Sequence, residues 1–160
     1  MFVLSRPYST IVLSLVLTSI LVMSGCIFAD YDVTVDIYGA DQIAPNVTKP
    51  NGLRVRINNE VDTSFDDMEV RITVPERIVF RGSVGGKPLE VEKGLEWTYS
   101  FTTDLAVGDV AEYSFTYEPQ IYEEELDDEG EFAYSIRVRV FDNEGRSIGN
   151  ATTTWRVVGT

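Results

Sequence analysis

Histidine is absent from this 160-residue chain, and cysteine occurs once, at Cys26. Without histidine, the Ser-His-Asp and Cys-His nucleophilic arrangements have no base, and the common zinc sites lose their main nitrogen ligand. A single cysteine closes no intramolecular disulfide, so the fold must be held by its core alone. Lysine is scarce, with Lys49, Lys87 and Lys93 against ten arginines. Basic residues number 13 against 26 acidic ones, for a net charge of −13. That balance argues against nucleic acid as a partner, because binding phosphate needs a basic face. It argues equally against direct electrostatic adhesion to anionic lipid. Few lysines among many carboxylates suits a salt-tolerant surface or, more simply, an ordinary acidic secreted protein.

One long apolar run is present, at the N-terminus. Arg6 precedes residues 11–23, which carry no charge and end on small residues. A basic residue, an apolar stretch and small residues after it make a secretory signal. Thirteen residues are short for a membrane span, which takes about 20. The stretch closes on Met23-Ser24-Gly25-Cys26. This tetrapeptide resembles the lipobox of prokaryotic lipoproteins, with Met23 where leucine is usual. The resemblance implies that Cys26 receives a diacylglycerol and that the peptide before it is removed. The competing reading is an uncleaved signal anchor with an incidental cysteine. Both readings put the rest of the chain on the extracytoplasmic face of the cell membrane. The organisation expected is therefore a signal peptide over 1–25, an anchor and short linker over 26–30, and a folded domain over 31–160.

After Cys26 no helical period is sustained. Apolar residues alternate with polar ones instead, which is the strand signal. Val33, Val35 and Ile37 alternate with Thr34 and Asp36. The same pattern runs through Leu53, Val55 and Ile57, and through Met68, Val70, Ile72 and Val74. It returns in Trp97, Tyr99 and Phe101, in Tyr113, Phe115 and Tyr117, and in Tyr134, Ile136, Val138 and Val140. A last strand over 148–158 carries Trp155 and Val157, and a shorter one, Ile78-Val79-Phe80, follows Pro75. Turn residues separate them over 45–52, 62–67, 85–86, 107–109 and 143–145. Seven or eight strands, each with one apolar face, predict two sheets packed face to face. The fold expected is all-β, an Ig-like antiparallel β-sandwich preceded by an N-terminal signal or anchor helix, with a small closed barrel as the alternative.

The stretch Val55-Arg56-Ile57-Asn58-Asn59 and the following residues 68–75 resemble the opening of bacterial and archaeal Ig-like surface repeats. Leu105-Ala106-Val107-Gly108-Asp109 is similar to their mid-domain turn, and residues 132–142 to their penultimate strand. The chain thus resembles the adhesion-related CARDB-type and related archaeal Ig-like modules of prokaryotes. The resemblance implies a domain that binds, spaces or decorates rather than catalyses.

The densest chemical feature lies over 118–131, where eight of fourteen residues are acidic. Calcium takes six to eight oxygens and loops supply them well, so Glu123, Glu124, Glu125, Asp127, Asp128 and Glu129 form a candidate calcium site. Their spacing is not that of an EF-hand, and a solvated acidic loop is the plainer alternative. Such a loop, repelling itself, is expected to be extended and mobile when free. Asn46-Val47-Thr48 and Asn150-Ala151-Thr152 match the glycosylation sequon, with Asn46 in a Pro-flanked loop and Asn150 on a strand. Trp97, Trp155 and the tyrosines fall at inward strand spacing and are expected in the core. Arg54, Arg56, Arg137 and Arg139 fall on polar faces and are expected to pair with surface carboxylates.

No catalytic constellation emerges, so an enzyme is not expected, and no cofactor beyond calcium is called for. The role expected is a lipid-anchored cell-surface binding or structural module. It would be attached to the membrane through its N-terminus and have a protein or surface-polymer partner. The alternatives are an accessory substrate-binding subunit of a membrane transporter or enzyme and, less in keeping with the residues, a surface hydrolase with a carboxylate pair.

Overall fold

The structure, a computed structural model, describes residues 31–159. The signal segment and Cys26 lie outside the described residues. The described chain runs β1 (Val33–Gly39), β2 (Gln42–Ile43), β3 (Lys49–Asn59), β4 (Phe65–Pro75), β5 (Ile78–Arg81), β6 (Ser83–Val84), β7 (Lys87–Pro88) and β8 (Glu90–Lys93). It continues with β9 (Glu96–Leu105), β10 (Val110–Pro119), a single 3-10 turn (Glu123–Glu125), β11 (Glu131–Phe141) and β12 (Ser147–Val158). One sheet has the order β1-β3-β10-β5 and the other β2-β12-β11-β4-β9-β8; β6 and β7 form a small separate ribbon. The result is an Ig-like β-sandwich, as the alternation predicts. The eight expected strands are all present. Four further short segments, β2, β6, β7 and β8, are too brief to show a period. The pairing is antiparallel except where β2 lies parallel to β12 through two residues.

The alternation gives the register directly. Leu53, Val55 and Ile57 of the four-stranded sheet are fully buried. So are Met68, Val70, Ile72 and Val74 of β4 and Ile136, Val138 and Val140 of β11 in the six-stranded sheet. Each such side chain contributes roughly 1.5–3 kcal/mol by leaving water. Aromatic rings join the two sheets. Tyr117 of β10 meets Trp155 of β12 edge-on at 5.5 Å, and Phe80 of β5 meets Tyr99 of β9 at 5.3 Å. Tyr99 also donates its hydroxyl to the carbonyl of Ile78 at 2.9 Å. The expectation that Trp97, Trp155 and the tyrosines are core holds for Trp155 and needs correction for others. Trp97 is only half-buried, with the Lys93 ammonium 4.3 Å from its ring centre, and Tyr31 and Tyr122 are exposed.

One loop expectation is also corrected. The turn expected over 45–52 ends earlier, because β3 begins at Lys49 and passes through a bulge opposite Phe115 and Tyr117. At that bulge Gly39 (φ 147°) stands so close to the carbonyl of Gly52 that any Cβ would collide with it. Asn59, the one buried polar residue described, binds the neighbouring turns together. Its Nδ2 donates to the carbonyls of Thr63 (2.7 Å) and Ala106 (2.9 Å), and its Oδ1 accepts from the Val61 amide.

Candidate functional site

The outer face of the six-stranded sheet is the most built surface of the domain. Residues whose neighbours along the strand point into the core must point outward, so this face follows from the same alternation. It is concave over four strands and encloses a groove of about 650 Å³. The floor is Glu69, Arg71 and Thr73 of β4 with Thr98 and Ser100 of β9. Arg137, Arg139 and Phe141 of β11 form one wall, and Glu90 and Glu92 of β8 form the other. Glu69, Thr73, Thr98 and Ser100 are half-buried although they face solvent, as expected of side chains at the bottom of a concavity.

Charges in the groove are arranged in pairs. Arg71 donates from Nε and Nη2 to the two oxygens of Glu69, each at 2.8 Å, and its guanidinium lies 4.7 Å from the Phe141 ring centre. The hydrogen bond to Glu69 raises the Arg71 pKa further. Arg137 is hydrogen-bonded to Glu96. Thr73 and Thr98 share a hydroxyl–hydroxyl bond of 3.3 Å across the β4–β9 pair. The expectation that the polar-face arginines all pair with carboxylates holds for Arg137 and, at 4.0 Å from Glu112, for Arg54. It fails for Arg56 and Arg139, which have no ion-pair partner among the described residues. The groove itself was not visible in the sequence. Its residues come from four strands, and β8 has no alternation to announce it.

The acidic segment is organised differently from the expectation. It is a closed turn rather than an extended loop. Ile121 is buried and Leu126 packs against the core, which pins the segment down. Four of its eight carboxylates, those of Glu118, Glu125, Asp127 and Glu131, are committed locally. Glu125 accepts from Arg77 at 2.6 Å and from the Tyr122 amide at 2.8 Å. Asp127 caps the amides of Glu129 and Glu131, each at 2.9 Å. Hydrogen bonds from Gln120, then from Thr48 and Arg81, hold the Glu118 carboxyl below the usual carboxylate range. Glu123, Glu124, Glu125, Asp127, Asp128 and Glu129 therefore do not converge into a calcium shell. Among the described residues no three acidic side chains gather closely enough to hold a metal ion.

Both sequons lie on exposed residues. The Asn46 amide nitrogen donates to the carbonyl of Ile121 at 3.0 Å, so its side chain is part of the clasp on the acidic turn. Asn150 points outward from β12 and donates to the Tyr31 hydroxyl. A smaller cavity of about 300 Å³ lies between the turn after β3 and the β11–β12 hairpin. There Arg146 holds Asp142 and reaches Asp32 at 2.7 Å, and this pairing lowers the Asp142 pKa.

No family model matches the chain, and no curated protein matches it. Solved structures do. The chain is similar to the CARDB domain of a Pyrococcus furiosus protein determined in complex with di-metal ions. The identity is 19%, the match covers 83% of this chain and 91% of that one, and the TM-score is 0.50. It is also similar to AvmM, which catalyses macrocyclization in alchivemycin A biosynthesis, at 8% identity, 81% and 90% coverage and a TM-score of 0.52. A non-cellulosomal cohesin from Archaeoglobus fulgidus matches at 10% identity, 80% and 92% coverage and a TM-score of 0.44. At these identities the likeness concerns the fold alone, an Ig-like β-sandwich.

Proposed function

We propose that this chain is a non-catalytic binding module displayed on the extracytoplasmic face of a membrane, tethered through a lipidated Cys26, with the outer-face groove as its binding surface. The observation that carries the reading is the groove. It is a concave, polar surface built on four paired strands, where side chains are held more rigidly than on loops. The hydrolase reading loses two of the groove's four glutamates, since Glu69 and Glu96 are already engaged by guanidinium groups, and the other two, Glu90 and Glu92, lie on one strand along a single wall. Fold alone does not decide the matter, because one sandwich architecture serves many roles. The lipobox-like Met23-Ser24-Gly25-Cys26 supports the tether, and two acyl chains make such a tether stable, at about 0.8 kcal/mol per buried methylene. The role of accessory subunit to a membrane transporter or enzyme would use the same surface. The test is retention of polymers from isolated cell envelopes of the source organism by the detergent-solubilised full chain. Thr98→Trp fills the groove floor. Retention by the wild type and loss in Thr98→Trp, with an unchanged circular dichroism spectrum, supports the reading. Equal retention by both, or none by the wild type, overturns it.

A further inference from the structure

Seven of the nine described arginines have a carboxylate partner; Arg56 and Arg139 do not. The two differ in their surroundings. Arg56 has Asp36 directly opposite on β1 and Glu112 directly opposite on β10. Arg139 has Arg71 directly opposite on β4 and the neutral Asn150 opposite on β12. Its neighbours on its own side of β11 are Arg137 and Phe141. Like charges placed directly opposite in an antiparallel pair destabilise it. Arg71 has its own carboxylate in Glu69, so in a chain with twice as many acidic as basic residues Arg139 is left facing another arginine with no carboxylate of its own, and such local conflicts collect at functional surfaces. Here the conflict sits on the wall of the groove.

What surrounds Arg139 defines what it would receive. A guanidinium presents a planar fork of donors that matches a carboxylate in two parallel hydrogen bonds. Around it the groove offers the hydroxyls of Thr73, Thr98 and Ser100, and across from it the carboxylates of Glu90 and Glu92. These groups suit a ligand rich in hydroxyls. A densely anionic chain would be repelled by the glutamates, and a neutral polyol would leave Arg139 unanswered. A ligand with isolated carboxylates along a hydroxyl-bearing chain answers both. We propose that the groove binds a uronate-containing oligosaccharide, with one carboxylate seated on Arg139. This rests on the groove being the binding surface and adds the ligand class.

The experiment is calorimetric titration of the full-length chain in detergent with three probes. They are a hexasaccharide alternating glucuronate with a neutral sugar, its carboxyl-reduced neutral counterpart, and an acidic peptide of the same total charge. Wild type is compared with Arg139→Gln and with Thr98→Trp. The expected result is binding of the uronate hexasaccharide by the wild type, at least tenfold weaker in Arg139→Gln and absent in Thr98→Trp. The neutral counterpart should bind weakly and equally to wild type and Arg139→Gln. The melting temperature of Arg139→Gln should equal or exceed that of the wild type, since the substitution breaks no ion pair among the described residues. Equal affinity of wild type and Arg139→Gln for the hexasaccharide overturns the inference, while loss in Thr98→Trp would leave the groove reading standing. Tighter binding of the peptide than of the hexasaccharide, or no saccharide binding at all, also overturns it. So does a lowered melting temperature in Arg139→Gln, which would make that arginine structural. The envelope-retention experiment then decides separately whether the groove binds anything.

Discussion

The hydroxyl of Tyr117, from the four-stranded sheet, is hydrogen-bonded to the hydroxyl of Tyr134, from the six-stranded sheet, inside the core. Burial pushes the Tyr117 pKa up to about 12 from its ordinary 10.0, and it pushes Tyr134 higher still, with the Tyr117 hydroxyl adding to the effect. A raised folded-state value means that the folded protein holds these protons more tightly than the unfolded chain does. The stabilisation is fully present below pH 10 and is lost as pH rises toward about 12. Alkaline titration followed by tyrosinate absorbance and circular dichroism should show these two phenols ionising only as the fold is lost. Ionisation near pH 10 with the β spectrum intact would contradict the pairing.

Trp155 should be indispensable to the core. It is 2% exposed and packs edge-on against Tyr117 across the sandwich. Trp155→Ala should cost about 3–5 kcal/mol, the usual range for removing a large aromatic side chain from a core. A loss of unfolding free energy in denaturant of less than a fifth of that would mean that the site collapses around the gap.

Asn59→Leu should be more harmful than its similar size suggests. The substitution keeps the volume but leaves the carbonyls of Thr63 and Ala106 and the amide of Val61 without their partner. These hydrogen bonds are part-buried, and each one lost costs about 0.5–1.5 kcal/mol. Urea unfolding is expected to show a lower midpoint with an unchanged slope. The loss should exceed that of Asn58→Leu, whose side chain reaches only the exposed Glu60.

Calcium should give no specific stabilisation. In the acidic turn Glu125 is spent on Arg77, Asp127 on backbone amides and Glu131 on Arg156, and the remaining carboxylates do not gather on a shared centre. A true site would raise stability by about 2.7 kcal/mol at a hundredfold excess over its dissociation constant. Thermal melts with millimolar calcium and with sodium chloride of equal ionic strength should coincide. A separate upward shift with calcium would require the turn to rearrange.

Cys26→Ser should release the chain from the membrane fraction and change its processing. Cell fractionation and the mass of the mature product measure this. Unchanged membrane association would favour the uncleaved anchor over the lipid.

The two faces of each sheet differed in how legible they were. Val70, Ile72 and Val74 lie where period-two alternation puts them, because one buried face per strand leaves a single register open. Short segments such as β8 carry too few residues to show any period, so the wall made by Glu90 and Glu92 was missed. The acidic turn is fastened by Ile121 and Leu126, two isolated apolar residues that show no period among eight carboxylates. Arg139 was assigned to a polar face correctly, yet its opposition to Arg71 depends on cross-strand register, which composition does not contain.

The pairing of Val33 with Asn59 places the start of β1 beside the turn after β3, whereas Val158, the end of β12, pairs with Glu131 at the other end of the sandwich. The first and last strands therefore leave the domain in opposite directions. Tension between the two ends of residues 31–159 would run parallel to the strands. It would load the seven paired positions of β1 on β3 side by side, and those of β12 on β11 likewise, so the ladders would have to slide rather than unzip. Held this way, the domain is mechanically a strut, able to transmit pull along its length without first peeling open.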